Sequence, residues 1–81
     1  MRKYKLVFTD RCPNCPVVKE FMKTQDIEGE FLNASNKDVL NYVKSIGIDK
    51  VPTVIFFDED VEIGRATTIN ECKKFLDYVK N

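Results

Sequence analysis

The run Val51-Pro52-Thr53-Val54-Ile55-Phe56-Phe57 constrains this chain more than any other segment. It is apolar at almost every position, where a strand with one solvated face would alternate. Such a run demands burial on both faces, and so a central place in a sheet covered by helices on each side. The other segments supply the parts. Lys3 to Thr9 reads as a strand carrying Tyr4, Leu6, Val7 and Phe8. Val17, Val18, Phe21 and Met22 recur at helical spacing and end near Gln25-Asp26. Ile27 to Leu32 is a short second strand, and Asn33 to Asn36 a polar connection rich in capping residues. Val39, Leu40, Val43 and Ile46 mark a second helix that Gly47 is placed to end as a left-handed cap.

After the central run, Asp58-Glu59-Asp60 is a charged turn leading to a partner strand, Val61-Glu62-Ile63. A last helix runs from about Asn70 to Val79. Ile69, Cys72, Phe75, Leu76 and Val79 lie on one face, and Thr68 and Glu71 have capping-box spacing. The order is β-α-β-α-β-β-α, an α/β fold with a four-stranded mixed sheet flanked by three helices. Helical connections between the first three strands predict that these run parallel, with an antiparallel hairpin closing the sheet. With 81 residues the whole chain, 1–81, is expected to be one domain.

Thirteen basic and thirteen acidic residues cancel, so no net field points to nucleic acid or an anionic membrane. His is absent, which leaves Cys, carboxylates, Lys, Tyr and backbone groups as the possible carriers of catalysis. The basic start Met1-Arg2-Lys3-Tyr4-Lys5 precedes an apolar stretch too short for a secretory signal, and no stretch approaches membrane-spanning length. Three cysteines do not make a disulfide framework, so a cytoplasmic location is expected. A monomer is the expected state.

The chemistry concentrates in Cys12-Pro13-Asn14-Cys15, between the first strand and the first helix. Two thiols three positions apart can close a small disulfide ring. A Cys that caps or just precedes a helix faces its unpaired N–H groups, which favours thiolate over thiol. Pro13 suits a first helical position, while Pro16 removes a donor and predicts an irregular turn, with the regular helix starting near Pro16. Arg11 adds positive charge beside the site. Cys12, the more exposed sulfur, is expected to attack a substrate disulfide. Cys15, one turn deeper, then attacks Cys12 and releases the reduced product. A lone CxxC could also be half a zinc site, although Cys72 is the sole remaining thiol. Cys72 itself reads as a small buried hydrophobe on the last helix. Phe56 and Phe57 read as core residues on opposite faces of the sheet.

With these residues in view, the whole chain resembles the thioredoxin/glutaredoxin family. The likeness rests on the strand before Cys12-Pro13-Asn14-Cys15, on Lys50-Val51-Pro52-Thr53-Val54, and on the terminal hairpin and helix. The resemblance implies a cis Pro52 facing the dithiol and a Val51 backbone that pairs with extended substrate. It places Arg11, Pro13 and Asn14 on the same substrate-binding surface. It also implies no bound cofactor, disulfide-containing proteins as substrates, and electrons from NADPH through a thioredoxin-reductase-like flavoprotein or from glutathione.

Length and Cys-Pro-x-Cys are similar to glutaredoxin, whose glutathione-gripping Gly-Gly and acidic residue fall on Gly64-Arg65 and Thr67-Thr68, where only the first glycine is kept. Pro52-Thr53 is similar to thioredoxin, but thioredoxin's buried Asp falls on Leu6, with Lys5 and Glu20 the charged groups nearby in sequence. The combination resembles small, glutaredoxin-sized, thioredoxin-like proteins of bacteria and archaea. The expected function is a thiol–disulfide oxidoreductase. The alternatives are a glutathione-dependent glutaredoxin and, in a different class, a CxxC carrier of a soft metal ion.

Overall fold

The central run becomes the strand its composition demands. In the computed structural model, which describes the backbone of residues 2–80 and the side chains of residues 2–77, the elements are β1 (Arg2–Phe8), α1 (Cys15–Lys23), β2 (Glu28–Asn33), α2 (Lys37–Ser45), β3 (Thr53–Asp58), β4 (Val61–Ala66) and α3 (Ile69–Lys80). The sheet order is β2-β1-β3-β4, so β3 lies inside, and its Val54, Ile55 and Phe56 are fully buried. Pro52 has no N–H to give to a ladder, and the strand begins at Thr53, just after it and two residues into the apolar run.

Two cores form because successive residues of a strand face opposite ways. Tyr4, Leu6, Val54 and Phe56 meet Val18 and Met22 of α1 and Cys72 and Leu76 of α3 on one side. Val7 and Ile55 meet Val43 of α2 with Ala34 and Ile48 on the other, and Phe57 packs against this second cluster. Phe56 and Phe57 thus divide between the two faces as their adjacency requires. Ile69 and Phe75 pack on the first core as expected, while the side chain of Val79 lies outside the described residues.

One expectation fails. β1 and β2 are parallel and β3 and β4 antiparallel, but β3 runs antiparallel to β1. The reason is where the crossover lands. β2 ends at Asn33 beside Phe8, and β3 begins at Thr53 beside Val7, so the chain leaves and re-enters the sheet at the same end. The nine-residue α2 is only about 14 Å long, and the connection 46–52 brings the chain back. Apolar spacing fixes which face α2 covers but not where its exit returns.

The helix ends obey their local signals. Asn36 Oδ1 accepts from the Asp38 and Val39 amides at 2.9 and 3.4 Å, capping α2. At the other end Gly47 adopts φ +78°, with Gly47 N–H donating to Lys44 O and Ile48 N–H to Val43 O, the paired bonds of a Schellman cap. Glu59 and Asp60 both have positive φ, so the charged turn is a tight hairpin of the primed kind.

Candidate active site

β1 lies inside the sheet, and its end delivers the chain to the 9–14 loop. That loop is tied down on both sides. Cys12 N–H donates to Thr9 O at 3.4 Å, and Ala34 N–H donates to Phe8 O at 2.7 Å. Asp10 joins the two connections. Its carboxylate accepts from Asn33 Nδ2 at 2.9 Å, its N–H donates to Ser35 Oγ at 3.0 Å, and Asn33 Oδ1 accepts from Ser35 N–H at 3.0 Å. The polar segment after β2 therefore holds the loop before the tetrad as well as capping α2. Asp10, Asn33 and Ser35 were not singled out by the sequence; their signal was a short run of Asx and Ser residues directly after a strand.

Cys12 and Cys15 form a disulfide with Cα atoms 5.4 Å apart. α1 begins at Cys15, so the irregular turn expected from Pro16 is present. Pro13 lies in the bend before the helix instead of at its first position. Asn14 is the N-cap residue but makes no side-chain capping bond, and the first turn holds no acidic residue. Pro16 has no N–H to offer. The first turn of α1 at the tetrad thus has no side-chain cap from Asn14 and no acid of its own. Cys15 is 1% exposed and Cys12 partly exposed, with Arg11, Pro13 and Asn14 exposed around them.

The Val51–Pro52 peptide is cis, Val51 is half-buried and Pro52 buried. Because Thr53 pairs with Val7, this step stands at the end of the sheet from which β1 runs into the tetrad. Thr53, itself buried, donates its hydroxyl to Lys50 O at 2.6 Å and closes the backbone around Val51 and Pro52. The Thr after the proline thus has a local task that its sequence position alone did not reveal.

Two grooves flank the tetrad. One contains Cys12 and Cys15 and is lined by Phe8, Asp10, Lys19, Glu20 and Lys23. The other is lined by Asn14, Val17, Thr67, Thr68, Ile69 and Asn70, and Val17 there is 57% exposed. Of the charged groups considered in place of a buried Asp, Glu20 lines the first groove. Lys5 does not: it lies against Tyr42 and Phe57 and pairs with Glu30 at 3.5 Å. Leu6 is fully buried in the core.

Cys72 is fully buried, and burial, with the charge of Glu71 beside it, pushes its thiol up to about 11. Among the described residues no three Cys, Asp or Glu side chains gather as a cation site. No helix among them is long and apolar enough to cross a membrane.

No family model and no curated protein matches the sequence. Solved structures do. Thioredoxin O2 from Arabidopsis thaliana in its oxidized state is 14% identical and superposes with TM-score 0.84 over 100% of this chain and 76% of its own. Thioredoxin f2, in its complex with ferredoxin:thioredoxin reductase, is 21% identical with TM-score 0.78, over 99% and 78%. Thioredoxin 1 from the thermophilic eubacterium Thermosipho africanus TCF52B is 23% identical with TM-score 0.67, over 98% and 99%.

The chain has the thioredoxin fold. Within it, Gly64 has a packing role. It lies inside β4 opposite Phe56, and a Cβ there would run into the ring of Phe75, which stacks on Phe56 with centroids 5.1 Å apart. Arg65 reaches away to Glu62 and to Ile46 O, at 2.8 and 2.7 Å. Thr67 and Thr68 are engaged by Glu71.

Proposed function

We propose that this protein is a thiol–disulfide oxidoreductase that reduces protein disulfides through Cys12 and Cys15. The observation that carries the reading is the Cys12–Cys15 disulfide at an uncapped helix N-terminus, at the same end of the sheet as Val51-Pro52. In the reduced protein Cys12 is the attacking thiolate, favoured by the first-turn N–H groups of α1 and by Arg11. It forms a mixed disulfide with substrate. Val51 offers its backbone to an extended stretch of that substrate, with Pro52, Pro13 and Asn14 shaping the surface around it. Cys15, shielded from outside thiols, attacks Cys12 and expels the reduced product.

The reductant is a flavoprotein reductase of the thioredoxin-reductase type drawing on NADPH. The occurrence of one similar fold in complex with ferredoxin:thioredoxin reductase supports a protein donor of electrons. So does Gly64, the residue matched to the first glycine of a glutathione grip, because packing against Phe75 accounts for it. The test is insulin reduction in two coupled systems, NADPH with thioredoxin reductase and glutathione with its reductase. Turnover with the first and little with the second is expected, Cys12→Ser abolishes it, and Cys15→Ser accumulates the mixed disulfide. Wild-type turnover in Cys12→Ser would defeat the proposal, and turnover with glutathione alone would replace the donor.

A further inference from the structure

The dithiol mechanism requires Cys15 to ionise while nearly buried, and burial opposes its charged form. No buried carboxylate stands at Leu6 to take the proton. The charged groups of the groove that holds both sulfurs are Asp10 from the loop and Lys19, Glu20 and Lys23 from α1. Asp10 is engaged with Asn33, and Glu20 pairs with Lys23 at 3.4 Å.

Lys19 differs from these. Its Nζ stands 4.1 Å from the ring centroid of Phe8, the last residue of β1, and 5.5 Å from that of Phe31 of β2. Among the described residues no carboxylate pairs with it. It is four positions after Cys15, so both lie on one stripe of α1, and long helical side chains lean back toward the preceding turn. The half-buried cation is thus braced by two aromatic faces in the groove that holds both sulfurs.

On the dithiol reading above, we infer that Lys19 is the counter-charge for the Cys15 thiolate, filling by a fixed cation the need that a buried base would otherwise meet. Cys15 gives its proton to solvent through the groove. Its sulfur attacks Cys12 Sγ and the bond between Cys12 and the substrate sulfur breaks. The substrate sulfur leaves as a thiolate and takes up a proton. Cys12 and Cys15 end as the disulfide, and the substrate has gained two electrons.

The experiment isolates this step. Reduced protein is coupled at Cys12 to thionitrobenzoate, and its release by Cys15 is followed by stopped flow as a function of pH. Lys19→Met keeps the stem and its packing but removes the charge, and Lys19→Arg keeps the charge. Lys19→Met is expected to move the midpoint of the pH profile up by about one unit and to slow release about tenfold below it, while Lys19→Arg stays near wild type. A merely structural Lys19 would not move the midpoint. A wild-type profile in Lys19→Met overturns the inference, as does a shift of this size in Glu20→Gln with none in Lys19→Met. Release that persists in Cys15→Ser overturns the dithiol reading itself.

Discussion

Cys15 and Cys72 occupy similar places and have opposite surroundings. Each is buried near the start of a helix, and the two helices pack on the same face of the sheet. The start of α3 is closed. Thr68 Oγ1 accepts from Glu71 N–H at 3.2 Å, and the Glu71 carboxylate accepts from Thr67 N–H and Oγ1 at 2.9 and 2.8 Å. The start of α1 has neither a side-chain cap nor an acid in its first turn, and Lys19, with no carboxylate partner among the described residues, stands one turn along. A helix N-terminus therefore does not by itself make a thiol reactive. Its donors must be left open and its charge must not be cancelled.

The largest test of this contrast removes each kind of thiol. Cys12→Ser should lower insulin reduction by at least about a thousandfold, since no other described sulfur can begin the exchange. Cys72→Ala should leave turnover within about twofold. In the native reduced protein, iodoacetamide at mildly alkaline pH should label Cys12 and leave Cys72 intact until the protein is unfolded. Rapid native labelling of Cys72 would break the comparison.

The buried thiol should instead reveal itself in stability at high pH. The Cys72 thiol sits at about 11 in the fold against an ordinary value of 9.0, so the unfolded chain ionises first as pH rises. Its contribution is complete below 9.0 and is lost progressively between 9.0 and about 11. Urea unfolding of wild type against Cys72→Ala across that interval should show a wild-type excess loss of about 1–3 kcal/mol. Parallel curves would show that burial does not hold the thiol neutral.

How much of this contrast could be read from the chain depends on its range. The double-sided burial of β3, the face of α3 that carries Cys72, the cap at Gly47 and the spacing of Thr68 and Glu71 are local patterns, and all appear in the structure. The antiparallel direction of β3 was not legible, because it depends on the end of the sheet to which the 46–52 connection returns. The Asp10–Asn33 bond spans 23 residues and follows from β1 and β2 lying side by side in register. Gly64 likewise has meaning only once Phe75 lies over β4. The tetrad was legible as chemistry, whereas the groups that hold it came from contacts distant in sequence.

A smaller effect should follow from making α1 resemble α3. Asn14→Asp places a carboxylate at the open N-cap, where it can accept from the first-turn amides and offset the positive end of the helix. Alkylation of Cys12 at neutral pH should slow by about threefold while the fold is kept or slightly stabilised. An unchanged rate would mean that Cys12 does not draw on the helix end, and that Arg11 carries its activation.

The converse change, opening the start of α3, should be the smallest. The hydrogen bonds from Thr67 hold the Glu71 carboxyl below the usual carboxylate range, so it stabilises the fold while ionised. That contribution is present above the ordinary value and is lost as pH falls through the lowered one. Glu71→Gln should therefore differ slightly from wild type at neutral pH, and the difference should vanish in acid. Removing the charge beside Cys72 should also bring its thiol down only in part, because burial, the larger cause, remains. If Glu71→Gln made Cys72 as reactive as Cys12, the charge at the helix start would outweigh burial. The two thiols would then differ by one carboxylate, and exposure would contribute little.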